Sequence, residues 1–321
     1  MEGIAYHKKP RLKSPYLIVA WPGMGEVAFK AAMYLIDTLK AEEFASIPPA
    51  DFFYLTDVVV QRGVFELPEL PFSKFYFWKN KDTAHDIIIF VSNAQPDLAK
   101  AQEYCKEILL LAKAMKVERV VSFAAMPQAI DHTQSPQVWY ASSSEQVNTF
   151  LKKYNLQLLP EGQVSGLNGL FLGLAKKEGF EGFCLLGEIP LYTIQIENPK
   201  ASRAVLEVFS AIARIPMDFT ELTGQEHLIE NQINNLLEYL KVGPAPGPIG
   251  EEEIEKIKKS LSQLTRLPSS IKEKIDKLFI QARQDISKAN ELKSELDKWN
   301  VYKEYEDRFL DLFKKKKEKN N

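Results

Sequence analysis

Cysteine is scarce in this chain: Cys105 and Cys184 are the only two among 321 residues. They lie far apart, and neither belongs to a C-x-x-C pair or stands beside a histidine. A disulfide framework and a zinc site are therefore not expected, and two buried thiols in a reducing compartment are. Long apolar runs are missing too: no segment approaches the roughly 18 apolar residues of a membrane span. The first residues, MEGIAYHKKPRLKS, carry no signal-type apolar stretch. The expectation is a cytoplasmic protein with no membrane partner. Net charge is small, −2 at pH 7, which gives no global attraction to nucleic acid. Neither G-x-x-x-x-G-K-[ST] nor G-x-S-x-G occurs, so no P-loop and no nucleophile elbow are expected.

What is present is an ordinary globular composition, 45% hydrophobic and 26% charged, in a length that suits one large domain or two smaller ones. Charge is uneven. Residues 251 to 321 hold 18 Lys and Arg against 15 Asp and Glu, with no glycine beyond Gly250, a composition suited to exposed helices. The segment KVGPAPGPIGEEE, residues 241 to 253, carries three Pro and three Gly and reads as a linker. The expected domains are a body over 1–241, a linker over 242–250, and a charged helical hairpin with a frayed end over 251–321.

In the body, YLIVAW, DIIIFVSN, RVVSFAAM, QVWYASS and GFCLLGEI read as strands, and GEVAFKAAMYLIDTLK and PDLAKAQEYCKEILLLAKAM as amphipathic helices. Strands apolar along their whole length are buried on both faces, which predicts an α/β fold: a three-layer α/β/α body around a largely parallel sheet. Asn198 with Pro199 predicts a helix start, and Thr223 with Glu226 and Ser270 with Glu273 predict capping boxes. In the tail, Pro268 separates a short helix carrying Ile254, Ile257, Leu261 and Leu264 from a longer one carrying Ile275, Leu278, Ala282, Ala289, Leu292, Leu296 and Trp299. The hairpin, over 251–312, can cover itself only in part. Leu292, Leu296 and Trp299 are therefore the candidate contact of the tail with the body or a neighbouring subunit.

Gly23-Met24-Gly25-Glu26-Val27-Ala28 satisfies G-x-G-x-x-A after a strand, the arrangement that aims helix N–H groups at a pyrophosphate. Against this, Glu26 would repel a phosphate, Pro22 removes a donor, and no acid follows about 20 residues on at the end of a strand. A conformational turn is the favoured reading. A second glycine cluster, from Gly162 through Ser165, Gly166, Asn168 and Gly169, permits close approach of a ligand or close packing of an apolar helix. Close packing is favoured, since Leu167, Leu170, Phe171, Leu172 and Leu174 make that helix apolar on most sides. His132 reads as an ordinary loop histidine rather than a partner of Ser165 in a triad. Glu188 ends a strand where α/β proteins place ligands. The candidate ligand or partner loops are thus those of Trp21, Gly23, Gly25, Ser165, Asn168 and Glu188, with no catalytic set, no metal site and no cofactor expected.

The ordered blocks VAWPGMGEVA, SNAQPD, VSFAAMP, SGLNGLFLGLAKKEGFEGFCLLGEIP and NPKASRAVLEVF resemble the proteasome-assembly-chaperone-2 family over roughly residues 15 to 240. The resemblance implies a body related to phosphorylase/hydrolase-like folds and self-association. It also implies proteasome α-subunits as partners where the organism has them. Family members often dock through a terminus ending hydrophobic, Tyr, any residue; this chain ends EKNN, so docking by that motif is not expected. The function expected is a non-enzymatic, homo-oligomeric, assembly-chaperone-like protein. The alternative is an enzyme or a binder of a nucleoside, nucleotide or amino-acid-like molecule at the carboxyl edge of the sheet.

Overall fold

The computed structural model describes residues 3–55, 58–81, 85–242, 269–298 and 301–313. The strands are β1 (Ala5–Tyr6), β2 (Tyr16–Ala20), β3 (Glu42–Ser46), β4 (Val59–Gln61), β5 (Val64–Glu66), β6 (Ser73–Trp78), β7 (Ile87–Ser92), β8 (Arg119–Gln128), β9 (Val138–Ser142), β10 (Gln157–Leu158) and β11 (Glu181–Pro190). The helices of the body are α1 (Val27–Leu39), α2 (Ala101–Ala114), α3 (Glu145–Leu151), α4 (Leu167–Lys177), α5 (Pro199–Ala213) and α6 (Thr220–Val242). Among the described residues nine strands form one sheet in the order β1-β3-β6-β7-β2-β8-β11-β9-β10, while β4 and β5 pair only with each other.

The apolar strands lie where their composition demands. Every residue of β2 and β7 is buried, and alternate side chains of β2 enter two different clusters. Tyr16, Ile18 and Ala20 pack with α1 and α5; Leu17, Val19 and Trp21 pack with α2 and α4. Helices therefore cover both faces of the sheet. The four central strands, β7-β2-β8-β11, are parallel. The flanks are not: β3, β6 and β7 run antiparallel in turn, and so do β11 and β9. The sheet is mixed around its parallel centre because the connection from β3 to β6 contains the β4–β5 arm rather than a crossover helix. The strand β6, SKFYFW, alternates buried and half-buried residues, which is the pattern of a strand packed on one face and escapes a search for continuous apolar runs.

Helix starts are partly as expected. Asn198 caps α5, its side chain accepting from the Ala201 N–H, with Pro199 in the first position. The capping box at Thr223 is displaced: α6 begins at Thr220, and Asp218 accepts from the Thr220 N–H at 2.9 Å. Thr223 lies one turn inside the helix and bonds back to Phe219. Glu226 is freed from any cap to bind Arg203. An acid two residues upstream outcompeted the S/T-x-x-E pattern.

The longer tail helix expected after Pro268 is three helices among the described residues: α7 (Ser269–Gln284), α8 (Ala289–Lys298) and α9 (Tyr302–Leu310). The first break is Asp285, extended at φ −135°, whose side chain accepts from the Ser287 N–H and starts a new turn. This lets α8 fold back on α7. Ile275, Phe279, Leu292 and Leu296 are fully buried, and Arg308 pairs with Asp276 while lying 4.1 Å over the Phe279 ring. The stripe expected to need a surface beyond the hairpin, on the body or on a neighbouring subunit, is buried at Leu292 and Leu296 in one cluster that includes residues of the body. The linker residues 243–250, the short helix carrying Ile254 to Leu264, the Ser270–Glu273 side chains and Trp299 lie outside the described residues.

Candidate functional site

The loop after β2 is fixed by its own hydrogen bonds. Trp21 is fully buried, its ring 5.7 Å from Phe171 and 5.4 Å from Phe90. Its backbone N–H donates to Asn168 Oδ1 and its carbonyl accepts from Asn168 Nδ2, both at 3.0 Å. One amide side chain on α4 thus satisfies both polar groups of a buried peptide, which would otherwise be orphaned. Gln95, after β7, donates through Nε2 to the Pro22 carbonyl at 2.9 Å.

The glycine fingerprint does not form a phosphate cradle. Gly25 and Glu26 are both left-handed, at φ 61° and 51°. The Gly25 N–H donates to the Ile194 carbonyl at 2.8 Å, and the Glu26 N–H to the Gly23 carbonyl at 3.0 Å. The Val27 N–H bonds to Met24. The donors that would face an anion are consumed by the chain. Gly25 also accepts from the Asn198 N–H at 2.8 Å, so close that an added Cβ would stand 3.3 Å from Asn198 Cβ. The stretch is a tight strand-to-helix turn docked on the segment that precedes α5.

The second glycine cluster folds by close approach. A Cβ on Gly169 would meet the Val164 carbonyl oxygen at 2.1 Å, so only glycine lets the incoming loop return across α4. Leu167 and Phe171 then pack beneath Trp21, whereas Leu170 is exposed.

Between these loops lies a cleft of about 1260 Å³. Gly23, Met24 and Glu26 form one wall, Gln95 and Asp97 another, and Ser165 and Asn168 a third. Ala124 and Ala125 of β8 form part of its floor, and Lys277, Gln281 and Glu291 of the tail reach its rim. Its position follows from topology. The neighbouring parallel strands β2 and β7 send α1 and α2 to opposite faces, which opens a crevice at their carboxyl ends.

Of the residues expected at this edge, Gly23, Ser165 and Asn168 border the cleft. Trp21 and Gly25 support it from inside the fold. Glu188 is held elsewhere: its Oε1 accepts from Trp139 Nε1 at 2.8 Å and its Oε2 from the Gln137 N–H at 3.0 Å, so it fastens the start of β9. His132 is engaged through both ring nitrogens, with the Tyr192 hydroxyl at 2.8 Å and Asn234 Oδ1 at 2.9 Å. Gln95, Gln195 and the tail residues were missed. Gln95 sits in the SNAQPD block directly after a strand, which is a usable signal; the tail residues have none, since their place depends on the fold.

The acids that line the cleft are Glu26, Asp97 and Glu291. Burial raises the Glu26 carboxyl above the usual range, Glu197 adds repulsion, and Lys30 opposes both. Beneath the site, burial pushes the Tyr104 phenol up to about 12 against hydrogen bonds from Ser73 and Ser92. Among the described residues no group of three or more His, Cys, Asp and Glu is placed to hold a metal ion. No helix among them is long and apolar enough to cross a membrane.

Residues 17–237 match the sequence model of the PAC2 family. A protein of Methanocaldococcus jannaschii, MJ1210, is 28% identical over 248 residues, spanning 75% of this chain and 92% of that protein. Among solved structures, Pyrococcus furiosus PbaB, described as an archaeal proteasome activator, superposes with a TM-score of 0.63 at 25% identity, covering 74% of this chain and 99% of PbaB. Pyrococcus furiosus PbaA, described as an archaeal homolog of proteasome-assembly chaperone, shares the fold with a TM-score of 0.57 at 24% identity over 73% of this chain and 96% of its own.

Proposed function

Because the chain belongs to the PAC2 family, we propose that it is a non-enzymatic, homo-oligomeric protein of the cytoplasm that binds protein partners during assembly, with proteasome α-subunits as clients where the organism makes them. The observation that carries this reading is the likeness to PbaB, which extends over nearly all of that activator. In support, the strand-end loops hold one another: Asn168, Gln95 and Gly25 each satisfy backbone groups of a neighbouring segment. In this reading, residues 1–241 are a three-layer α/β/α body of phosphorylase/hydrolase-like type, and the tail is a helical extension of it. The test is α-ring formation by recombinant α-subunits, followed by native mass spectrometry. Faster ring formation and a complex containing both chains are expected. Unchanged kinetics with no shared complex would remove the client from the proposal.

One observation favours a second reading, a small-molecule site: the cleft stands at the switch point of the sheet, where α/β proteins bind ligands. A nucleoside, nucleotide or amino-acid-like ligand at 100 times its Kd would stabilise the fold by about 2.7 kcal/mol. A flat melting response across such a panel would remove this reading.

A further inference from the structure

Nine of the nineteen large apolar residues exposed among the described ones fall between Tyr54 and Leu70. At their centre is the β4–β5 arm, which pairs with no other strand among the described residues. Its register, Val59 to Glu66, Val60 to Phe65 and Gln61 to Val64, leaves a two-residue turn. Arg62 and Gly63 are both left-handed there, at φ 51° and 82°, as a tight hairpin requires. The strands themselves are apolar on both faces: Val60 is 59% exposed, Val64 61%, Phe65 75% and nearby Leu67 72%. Such a ribbon is marginal alone, and an open apolar edge is a template for pairing.

We propose that this arm is a self-association surface, on which the arm of a second copy of the chain pairs edge to edge through β5 across a two-fold axis. The inference rests on the homo-oligomeric part of the function proposed above. Two features favour a second copy over another partner. The first is area. A large aromatic residue offers roughly 150–250 Å², so nine such or somewhat smaller side chains at 37–75% exposure present on the order of 800 Å², what each side of a standard interface buries. The second is charge. Arg62 is the only base between residues 54 and 70, and Glu66 lies at the opposite end of β5. With a copy of β5 laid antiparallel about Val64, the turn that carries Arg62 in each copy lies beside the end of the other's β5 that carries Glu66, so this one pair of charges repeats across the axis, as an isologous contact requires.

The pairing also fixes which atoms meet. In a two-residue hairpin Gln61 and Val64 exchange hydrogen bonds within the arm, which turns the N–H and C=O of Phe65 toward the open edge. Val64 then sits on the axis in a non-hydrogen-bonded pair with its own copy. Such pairs have Cα atoms about 4.5 Å apart, inside the span a disulfide bridges.

The experiment uses the full chain in sedimentation velocity at micromolar concentrations, with α-subunit capture measured alongside. The double variant Val60→Asp/Phe65→Asp is expected to lower the mass at least twofold while still melting cooperatively, at a midpoint that no longer depends on protein concentration. Val64→Cys is expected to give a covalent dimer on mild oxidation. The wild type should give none, because Cys105 and Cys184 are buried. An unchanged mass in the double variant, or no cross-link in Val64→Cys, overturns the proposal and leaves the functional reading standing. An unchanged mass with lost α-subunit capture assigns the arm to a client and overturns it equally. A monomeric wild type removes both this surface and the homo-oligomeric part of that reading.

Discussion

The strand β2 and the β4–β5 arm are built from the same kinds of residue and meet opposite fates. Val19 is fully buried against α2 and α4, while Val60 is 59% exposed on a ribbon with no further strand partner among the described residues. β2 satisfies its backbone through parallel partners on both sides, and its side chains supply both cores. The arm has one partner strand and no core. Apolar β-structure that cannot enter its own fold is an interface in waiting, and the difference lies in connectivity rather than in composition: β2 continues into a helix that covers it, and β4 continues into a two-residue turn.

The same substitution in the two places should separate them most sharply. Val19→Asp places an unpaired carboxylate where nothing can solvate it and is expected to cost more than about 4 kcal/mol, enough to abolish a cooperative melt. Val60→Asp is expected to change the monomer's stability by less than about 0.5 kcal/mol. Circular dichroism melts of the two purified variants read both effects, and equal losses would erase the distinction.

Next in size is the packing under the first loop. Trp21→Ala should lose about 3–5 kcal/mol, the range for an aromatic removed from a core, because Trp21 fills the space among Phe90, Tyr104 and Phe171. Urea titration checks it; a loss below about 1 kcal/mol would mean that the loop is held by its hydrogen bonds alone.

Asn168→Ala tests those bonds. It leaves the Trp21 N–H and carbonyl without their partner, at a cost of about 1–3 kcal/mol for each buried group left unsatisfied. Hydrogen exchange at Trp21 should rise with it. An Asn168→Ala protein as stable as the wild type would show that water replaces the clamp.

The smallest effect concerns Glu26. Its carboxyl stands above the usual range through burial and Glu197, so protonation favours the fold. That contribution is full below the unfolded range and is lost as pH rises through the folded value. Glu26→Gln should therefore match the wild type in acid and melt slightly higher at neutral pH, where the wild-type carboxylate is charged. A gap that narrowed with rising pH would contradict the assignment.

Much of this was legible in the residues. The five runs read as strands became β2, β7, β8, β9 and β11; β2 and β7, buried on both faces, have no polar alternation to conceal them. Asn198-Pro199 marked a helix start for the physical reason that operates there. Gly169 occupies a place no other residue fits, and Gly25 a left-handed turn with a tight approach to Asn198. Glu188 did not join the site, because the position of a strand end is local information and the direction of its side chain depends on β9. The cleft itself arises from strand order, which no stretch of sequence contains. The tail's break at Asp285 was written as D-x-S but was masked by a seam of apolar residues that continues across it. The arm is rich in valine and carries Phe65, but Gln61, Arg62 and Glu66 interrupt the run, and its exposure depends on how the chain connects around it.

The comparison between β2 and the arm is tested most directly by amide hydrogen exchange of the full chain at two protein concentrations well apart. The account predicts that β2 is protected equally at both, and that the Phe65 amide, which faces the open edge, exchanges fast when dilute and slow when concentrated, as that edge becomes paired. Fast exchange at Phe65 independent of concentration would contradict it.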